Sequence, residues 1–190
     1  MRDKLLLVGA GGFGRVVLEH AIQEYDCAFI DDGPEIGTLV NGVPVIGRTT
    51  ELEKFISEYK LLLVAIGNNK LREKIYKDAE SIGYDFPNLI DPSAYISPFA
   101  EIGKGCVILN NAVVQNNAKI GNGCILNSGV EAHHDSVIED FCLIYANSVV
   151  RALTHVGKRV RIGSTVSIST GAMVEDDADI EDGSAVKKDR

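Results

Sequence analysis

The chain has 190 residues, 45% of them apolar, enough to bury a core in one domain or in two small ones. Its 27 acidic against 19 basic side chains give a formal charge of −8, which argues against a nucleic acid as partner, since phosphate binding needs clustered Lys and Arg. The apolar run Leu5-Leu6-Leu7-Val8 behind Arg2 and Lys4 stops at Gly9, so neither a signal peptide nor a membrane span is expected, and the sequence predicts a cytoplasmic protein.

Residues 4 to about 85 read as alternating strands and helices. Leu5 to Val8 is a short apolar strand ending in glycines, and Arg15 to Tyr25 places Val16, Val17, Leu18, Ala21 and Ile22 at helical spacing. Cys27 to Ile30 is a second strand, running into Asp31-Asp32-Gly33. Val43 to Gly47 reads as a loop or an edge strand, because Pro44 cannot donate to a central ladder. Thr50 is expected to cap a helix holding Leu52, Phe55 and Ile56, with Glu53 completing a capping box. Leu61 to Ile66 is the third clear strand, and a helix follows over about 69 to 82. The pattern predicts a doubly wound half-unit whose parallel strands are buried on both faces.

From Ile90 onward the period becomes six. Every sixth residue from Ile90 through Ile96, Ile102 and Ile108 to Val186 is aliphatic or alanine, without an insertion. Two residues earlier runs a second series of small or β-branched residues, among them Ala100, Cys106, Ala112, Cys124, Ser136 and Cys142. A six-residue period fits neither an amphipathic helix nor an alternating strand, but it fits a solenoid with one hexad per flat face. Three faces make an 18-residue coil, so five to six coils are expected. Cys106, Cys124 and Cys142 are spaced by 18 and predict a buried stack of small side chains; no CxxC spacing occurs, and no metal is expected. Glycine follows the corner aliphatic at Gly103, Gly121, Gly157 and Gly163, where an unusual backbone conformation is predicted. The two periods divide the chain into domains 1–87 and 88–190.

Gly9-x-Gly11-x-x-Gly14 follows a strand and opens a helix, and Asp31 and Asp32 come about twenty residues later. This is the order of a dinucleotide-binding fingerprint, in which glycines let backbone N–H groups approach a pyrophosphate and a carboxylate meets a polar ligand group. With only three clear strands ahead of the solenoid, a ligand with one nucleoside and a diphosphate fits better than NAD, which stays open as an alternative, as does a purely structural turn. Among the four histidines, His20 falls on the first helix and His155 one residue before a corner, while His133 and His134 follow the corner at Ala132.

The uninterrupted aliphatic-Gly-x-x-x-x pattern resembles the hexapeptide-repeat acyltransferases. Within them the chain resembles the sialic acid O-acetyltransferase type, above all its UDP-4-amino-sugar N-acetyltransferases. Val8-Gly9-Ala10-Gly11-Gly12-Phe13-Gly14, Phe29-Ile30-Asp31-Asp32, Val64-Ala65-Ile66-Gly67-Asn68-Asn69-Lys70-Leu71-Arg72, Asn88-Leu89-Ile90 and Glu131-Ala132-His133-His134-Asp135 carry the likeness, in order, over the whole chain. The resemblance implies a Rossmann-like sugar-nucleotide-binding half-domain followed by a left-handed parallel β-helix, a homotrimer, and acetyl-CoA as donor with no metal. It implies His134 as general base and Asp135 as its acidic partner, since the family's base lies four residues before the next corner aliphatic, here Ile138. It also implies Gly11, Gly12, Phe13, Gly14, Asp31, Asp32, Ala65, Gly67, Asn68 and Asn127 on the acceptor side, and Ala152 and Gly163 on the donor side. An O-acetyltransferase and a non-catalytic nucleotide-sugar or NAD-binding module stay open as alternatives. Three departures mark the chain: Phe13 where the family often has His, Leu143 where a second His often lies, and an end at Lys187-Lys188-Asp189-Arg190 without the frequent Gly-x-Pro-Ala-Lys tail.

Overall fold

The computed structural model describes residues 2–188, so Asp189 and Arg190 of the sequence's tail lie outside the described residues. The chain forms two compact units, Met1–Pro87 and Asn88–Arg190. Among the described residues no helix is long and apolar enough to cross a membrane.

The first unit is an α/β layer structure. Strands β1 (Lys4–Val8), β2 (Asp26–Ile30), β3 (Leu39–Val40), β4 (Val43–Gly47) and β5 (Leu61–Val64) form one sheet in the order β3-β4-β2-β1-β5. Pairing is parallel except for β3 against β4. Leu5, Leu6, Leu7 and Val8 are fully buried, so both faces of β1 are covered, as a parallel central strand requires. The sheet has two strands more than the three the apolar runs reveal, and Val43–Gly47 lies one place in from the edge. Pro44 is tolerated there because the ladder toward β2 begins at Val45, paired with Phe29, and Pro44 faces only the two-residue β3.

Helix α1 spans Gly12–Ala21 and α3 spans Asn69–Ile82. The first begins three residues earlier than its apolar spacing predicts, with Gly11 at its N-cap, and stops at Ala21, so that Ile22 is exposed. The second coincides with its expected span: the Asn68 side chain accepts the Leu71 N–H, and Gly83 closes the helix at φ +100°. The expected Thr50–Glu53 capping box does not form. A 3₁₀ turn over Thr49–Glu51 precedes a single helical turn, α2 (Leu52–Phe55), and the Arg48 N–H donates to Glu51 Oε2 at 3.0 Å. The cause is Asp32, whose carboxylate accepts both the N–H and the hydroxyl of Thr49 and sets the start of the turn before Thr50.

Among the described residues the second unit holds seventeen two-residue strands, β6 (Leu89–Ile90) to β22 (Ala185–Val186), each ending on a hexad residue. They stack as three parallel sheets, in which each strand from β6 to β19 pairs with the one eighteen residues on, as Ile125 does with Leu143. The aliphatic series and the small series fill the interior together. The cysteines stack as the spacing predicts, and each thiol also turns to a carbonyl of the next coil: Cys106 to Gly121, Cys124 to Glu139 and Cys142 to Gly157, at 3.0–3.1 Å.

Left-handed backbone recurs every sixth residue, but not at the glycines that follow the aliphatics. It falls two residues further on, at positions that include Gly105, Asn111, Asn117, Gly123, Asp135, Phe141 and Leu153. Gly103, Gly121, Gly157 and Gly163 have no positive φ; they are required by space. A Cβ at Gly121 would sit 2.5 Å from the Asp140 N, and at Gly163 2.6 Å from the Asp182 N. The gap admits an Asx side chain from the next coil: Asp140 Oδ1 accepts the Asn122 N–H, and Asp182 Oδ1 accepts the Ser164 N–H, both at 2.8 Å.

Candidate functional sites on the two units

In the first unit the parallel order β2-β1-β5 brings three loops to one sheet edge, at the carboxyl ends of the strands. The chain runs from β1 outward to β2 and β4 on one side and returns with β5 on the other. That reversal next to β1 is where open α/β sheets leave a crevice for ligands. Gly9 to Gly14, Asp31-Asp32 and Ala65 to Asn68 are the loops gathered there. The glycines have separate causes. Gly9 sits at φ +104° with Ala65 O 2.9 Å from the place of a Cβ, and a Cβ on Gly14 would lie 1.9 Å from Gly9 O, so α1 packs on β1 only through glycine. Around Gly11 nothing lies within 4 Å of such a Cβ. Its backbone is therefore open to approach at the N-terminus of α1, where helix N–H groups favour an anion. Phe13 is half-buried in the first turn.

A crevice of about 220 Å³ is lined by Gly9, Asp31, Asp32, Thr49, Ile66 and Leu71. The carboxylates already hold loops in place: Asp31 accepts the N–H groups of Ala10 and Gly33, each at 2.7 Å, and Asp32 accepts both donors of Thr49. The Thr49 hydroxyl and N–H keep the Asp32 carboxyl below the usual range, so it stays ionised. On the other side Ala65 is buried and donates its N–H to Val8 O, and Asn68 is spent on capping α3. Arg72 ends the loop-and-helix segment that carries the family likeness but was given no role from sequence; it is the largest fully buried side chain among the described residues and braces this loop with hydrogen bonds to Ile66 O and Gly67 O and to Asn69 Oδ1. The available signal was an arginine at the end of the first turn of a helix that begins at Asn69.

On the coil, strand β13 (Glu131–Ala132) ends at the corner carrying both candidate histidines. They part company there. His133 Nε2 lies 2.9 Å from Glu131 Oε2, while His134 Nδ1 lies 2.7 Å from Asp135 Oδ2, and the His134 side chain is 56% exposed. The His134 N–H donates to Gln115 Oε1 at 3.1 Å, which ties the loop to the preceding coil. Asp135 occupies a left-handed position at φ +58°, which Asp and Asn tolerate well. Its other oxygen accepts from Asn117 Nδ2 at 3.2 Å, and its N–H donates to Asn116 O. The His134 contact, and after it that of Asn117, hold the Asp135 carboxyl below the usual carboxylate range. His155 is bound to Glu139 at 2.9 Å, and His20 is half-buried on α1.

His134 and Asp135 line a groove of about 580 Å³, together with Tyr95, Phe99, Gln115 and Asn116. Those four were not among the expected site residues, yet the 18-residue coil contains the signal: Asn116 lies one coil below His134, Gln115 one below His133 and Phe99 two below Asp135. Ala152 shares this corner one coil above His134, where the Leu153 N–H donates to His134 O. Asn127 and Gly163 do not share it. They follow β12 (Ile125–Leu126) and β18 (Arg161–Ile162) of another sheet and stand at a different corner of the triangle. The Gly163 N–H is already bonded to Ile180 O. Leu143 is buried in β15 (Leu143–Ile144).

The fold and these residues can be set beside known proteins. Residues 4–79 match the family described as the PglD N-terminal domain. UDP-N-acetylbacillosamine N-acetyltransferase of Bacillus subtilis is 38% identical over 116 residues, 54% of this chain; the aligned stretch spans only half the length of that relative. A His-to-Asn mutant of perosamine N-acetyltransferase from Caulobacter crescentus, solved in complex with CoA and GDP-perosamine, superposes with a TM-score of 0.93 at 29% identity, covering 98% of this chain and 90% of that one. The acetyltransferase domain of PglB from Neisseria gonorrhoeae, in complex with acetyl coenzyme A, has a TM-score of 0.86 and is 34% identical, covering 98% of this chain and 97% of that domain. A two-unit likeness of this extent, carried by a glycine-opened crevice and a six-residue coil with a His–Asp pair at one corner, places the chain in the family of hexapeptide-repeat N-acetyltransferases of UDP- or GDP-linked 4-amino sugars.

Proposed function

We propose that the chain transfers the acetyl group of acetyl-CoA to the 4-amino group of a nucleotide-linked sugar, with His134 as general base and Asp135 as its orienter. The observation that carries this reading is the 2.7 Å contact between His134 Nδ1 and Asp135 Oδ2 in a groove open to a substrate. A carboxylate on Nδ1 favours the tautomer that keeps its proton there, which leaves Nε2 as the acceptor. In the reaction the amine nitrogen attacks the thioester carbonyl carbon, and His134 takes a proton from that nitrogen. The tetrahedral intermediate collapses with cleavage of the C–S bond, and the proton on the imidazole can pass to the departing thiolate. The products are the acetamido sugar nucleotide and free CoA.

The α/β unit, read as Rossmann-like, would hold the nucleotide diphosphate at the Gly11 end of α1. Gly12, Phe13 and Gly14 form the rest of that first turn, and Ala65, Gly67 and Asn68 form the facing loop. The coil, read as left-handed, would hold the donor beside the Ala152 backbone, and we place Asn127 and Gly163 in the same chemistry through a neighbouring subunit. A homotrimer accounts for their position: one chain alone leaves them a corner away from His134, and a second coil laid against this corner supplies both the missing residues and a wall for the thioester. Sedimentation at assay concentration should give three times the chain mass, and a monomer with full activity would remove the shared site. Incubation with acetyl-CoA and UDP- or GDP-linked 4-amino sugars should release free thiol at one equivalent per acetylated amine; release without any acetylated acceptor would sink the reading.

Asp135 separates catalysis from folding. Asparagine also accepts φ +58°, so Asp135→Asn keeps the turn while removing the charge, whereas Asp135→Ala adds backbone strain of about 1–2 kcal/mol. Both variants should lose rate through a misoriented imidazole, but only Asp135→Ala should lower the Tm. Equal losses of Tm in both would mean that Asp135 serves the coil alone. Because the His134 contact, and after it that of Asn117, hold the Asp135 carboxyl below the usual carboxylate range, the rate advantage of the unsubstituted chain over Asp135→Asn should persist as pH falls into that range and vanish only below it.

A further inference from the structure

Tyr95 and Phe99 are large apolar side chains left 58% and 69% exposed on the coil. Tyr95 is the outward residue of β7 (Tyr95–Ile96), and Phe99 stands on the corner that follows. An exposed aromatic pair in a concave surface marks a ligand site more often than a chance surface. The corner under Phe99 is fixed by the buried Ser97, whose hydroxyl accepts the Phe99 N–H at 3.2 Å. Both aromatics line the same groove as His134 and Asp135, with Gln115 and Asn116 between. Gln115 turns its carbonyl oxygen to the His134 N–H, so the group it offers a ligand is its amide NH₂.

We infer that this aromatic pair, with the carboxamides of Gln115 and Asn116, is the subsite for the pyranose ring of the acceptor. The inference rests on the acetyl-transfer reading and names the substrate moiety that reading leaves unplaced. Two coils separate Phe99 from Asp135, about 9–10 Å at ordinary strand spacing, a gap that one six-membered ring with its substituents bridges once side chains project from both ends. A pyranose offers an apolar C–H face to an aromatic ring and hydroxyls to carboxamides, and the groove presents those two kinds of group side by side. The amine to be acetylated is a substituent of that ring, so the ring must lie in whatever cavity His134 reaches. The flexible arm of the thioester has no such need of a flat apolar platform.

The chain contains no tryptophan, so Phe99→Trp places one reporter in the subsite. Its emission should change on titration with a UDP- or GDP-linked 4-amino sugar, and not with UDP, GDP or acetyl-CoA alone. In steady state Phe99→Ala and Tyr95→Ala should each raise the KM for the sugar nucleotide by roughly tenfold, the scale of one lost aromatic contact, with the KM for acetyl-CoA unchanged; Tyr95→Phe should restore most of the loss. A Trp signal that answers acetyl-CoA alone would assign the groove to the donor. Emission indifferent to every sugar nucleotide overturns the subsite whether or not the protein turns over. Absence of turnover in the unsubstituted chain, with a Trp response to sugar nucleotide intact, overturns the acetyl-transfer reading and spares the subsite.

Discussion

Replacement of His134 with alanine is expected to lower kcat by about 10²–10⁴, the usual scale of a lost general base. The KM for the sugar nucleotide should move little, because a base acts mainly in the transition state and makes no large contribution to ground-state binding. The geometry supplies its own controls. His133 is held by Glu131 and is only 27% exposed, and His155 is held by Glu139 on another face, so neither lines the groove. His133→Ala and His155→Ala should stay within a few fold of the unsubstituted rate. The alanine at 134 should also leave the fold intact, because the contacts that hold the corner run through backbone: the N–H to Gln115 Oε1 and the carbonyl to the Leu153 N–H. A His133→Ala variant that stopped turnover while His134→Ala did not would reverse the assignment of the base.

The coil was legible because its physics is one-dimensional. A hexad commits one aliphatic and one small side chain to the interior, and the same demand returns on every face, so a register counted from Ile90 places His134 at its corner without any tertiary knowledge. What the sequence could not disclose was which hexad positions bend the backbone. Gly103 and Gly121 suggest a conformational need, yet they answer a steric one, and the left-handed positions beside them admit Asn, Asp and even Phe141, whose ring fills the space that Gly123 leaves. The α/β unit was less legible. Strand β3 has only two residues and β4 is interrupted by Pro44, and they exist because β4 pairs with both β3 and β2. Asp31 and Asp32 follow the strand at the expected place, but their bonds to Ala10, Gly33 and Thr49 depend on loops meeting in space. The groove residues Phe99 and Asn116 stack beneath the His134 corner, and Tyr95 beneath Glu131 on the strand that leads into it, so the 18-residue coil places all three beside the His134–Asp135 pair.

Gly14→Ala is expected to have the largest effect on the first unit, and Gly11→Ala, three residues away, to separate folding from binding. An added Cβ at Gly14 would overlap Gly9 O at 1.9 Å and approach the Gly9 carbonyl carbon at 2.8 Å. Both are backbone atoms, and Gly9 itself is pinned at φ +104° against Ala65. No side chain can swing away, so α1 must lift from β1, carrying the buried Val17, Leu18 and Ala21 with it. Overpacking of this kind costs roughly 1–3 kcal/mol and more where backbone must move, a large share of the roughly 5–15 kcal/mol that holds a domain together. Urea unfolding of Gly14→Ala should show a lowered midpoint for the α/β unit, with the coil transition in place. Gly11→Ala meets nothing within 4 Å, so its midpoint should stay near that of the unsubstituted chain. If the diphosphate approaches the bare backbone at the start of α1, the new methyl stands in its path, and the KM for the sugar nucleotide should rise by about tenfold or more, the equivalent of about 1.4 kcal/mol. A Gly11→Ala variant with unchanged KM would move the diphosphate away from this helix end. A Gly14→Ala variant as stable as its parent would mean that α1 has room on the sheet which the 1.9 Å approach denies it.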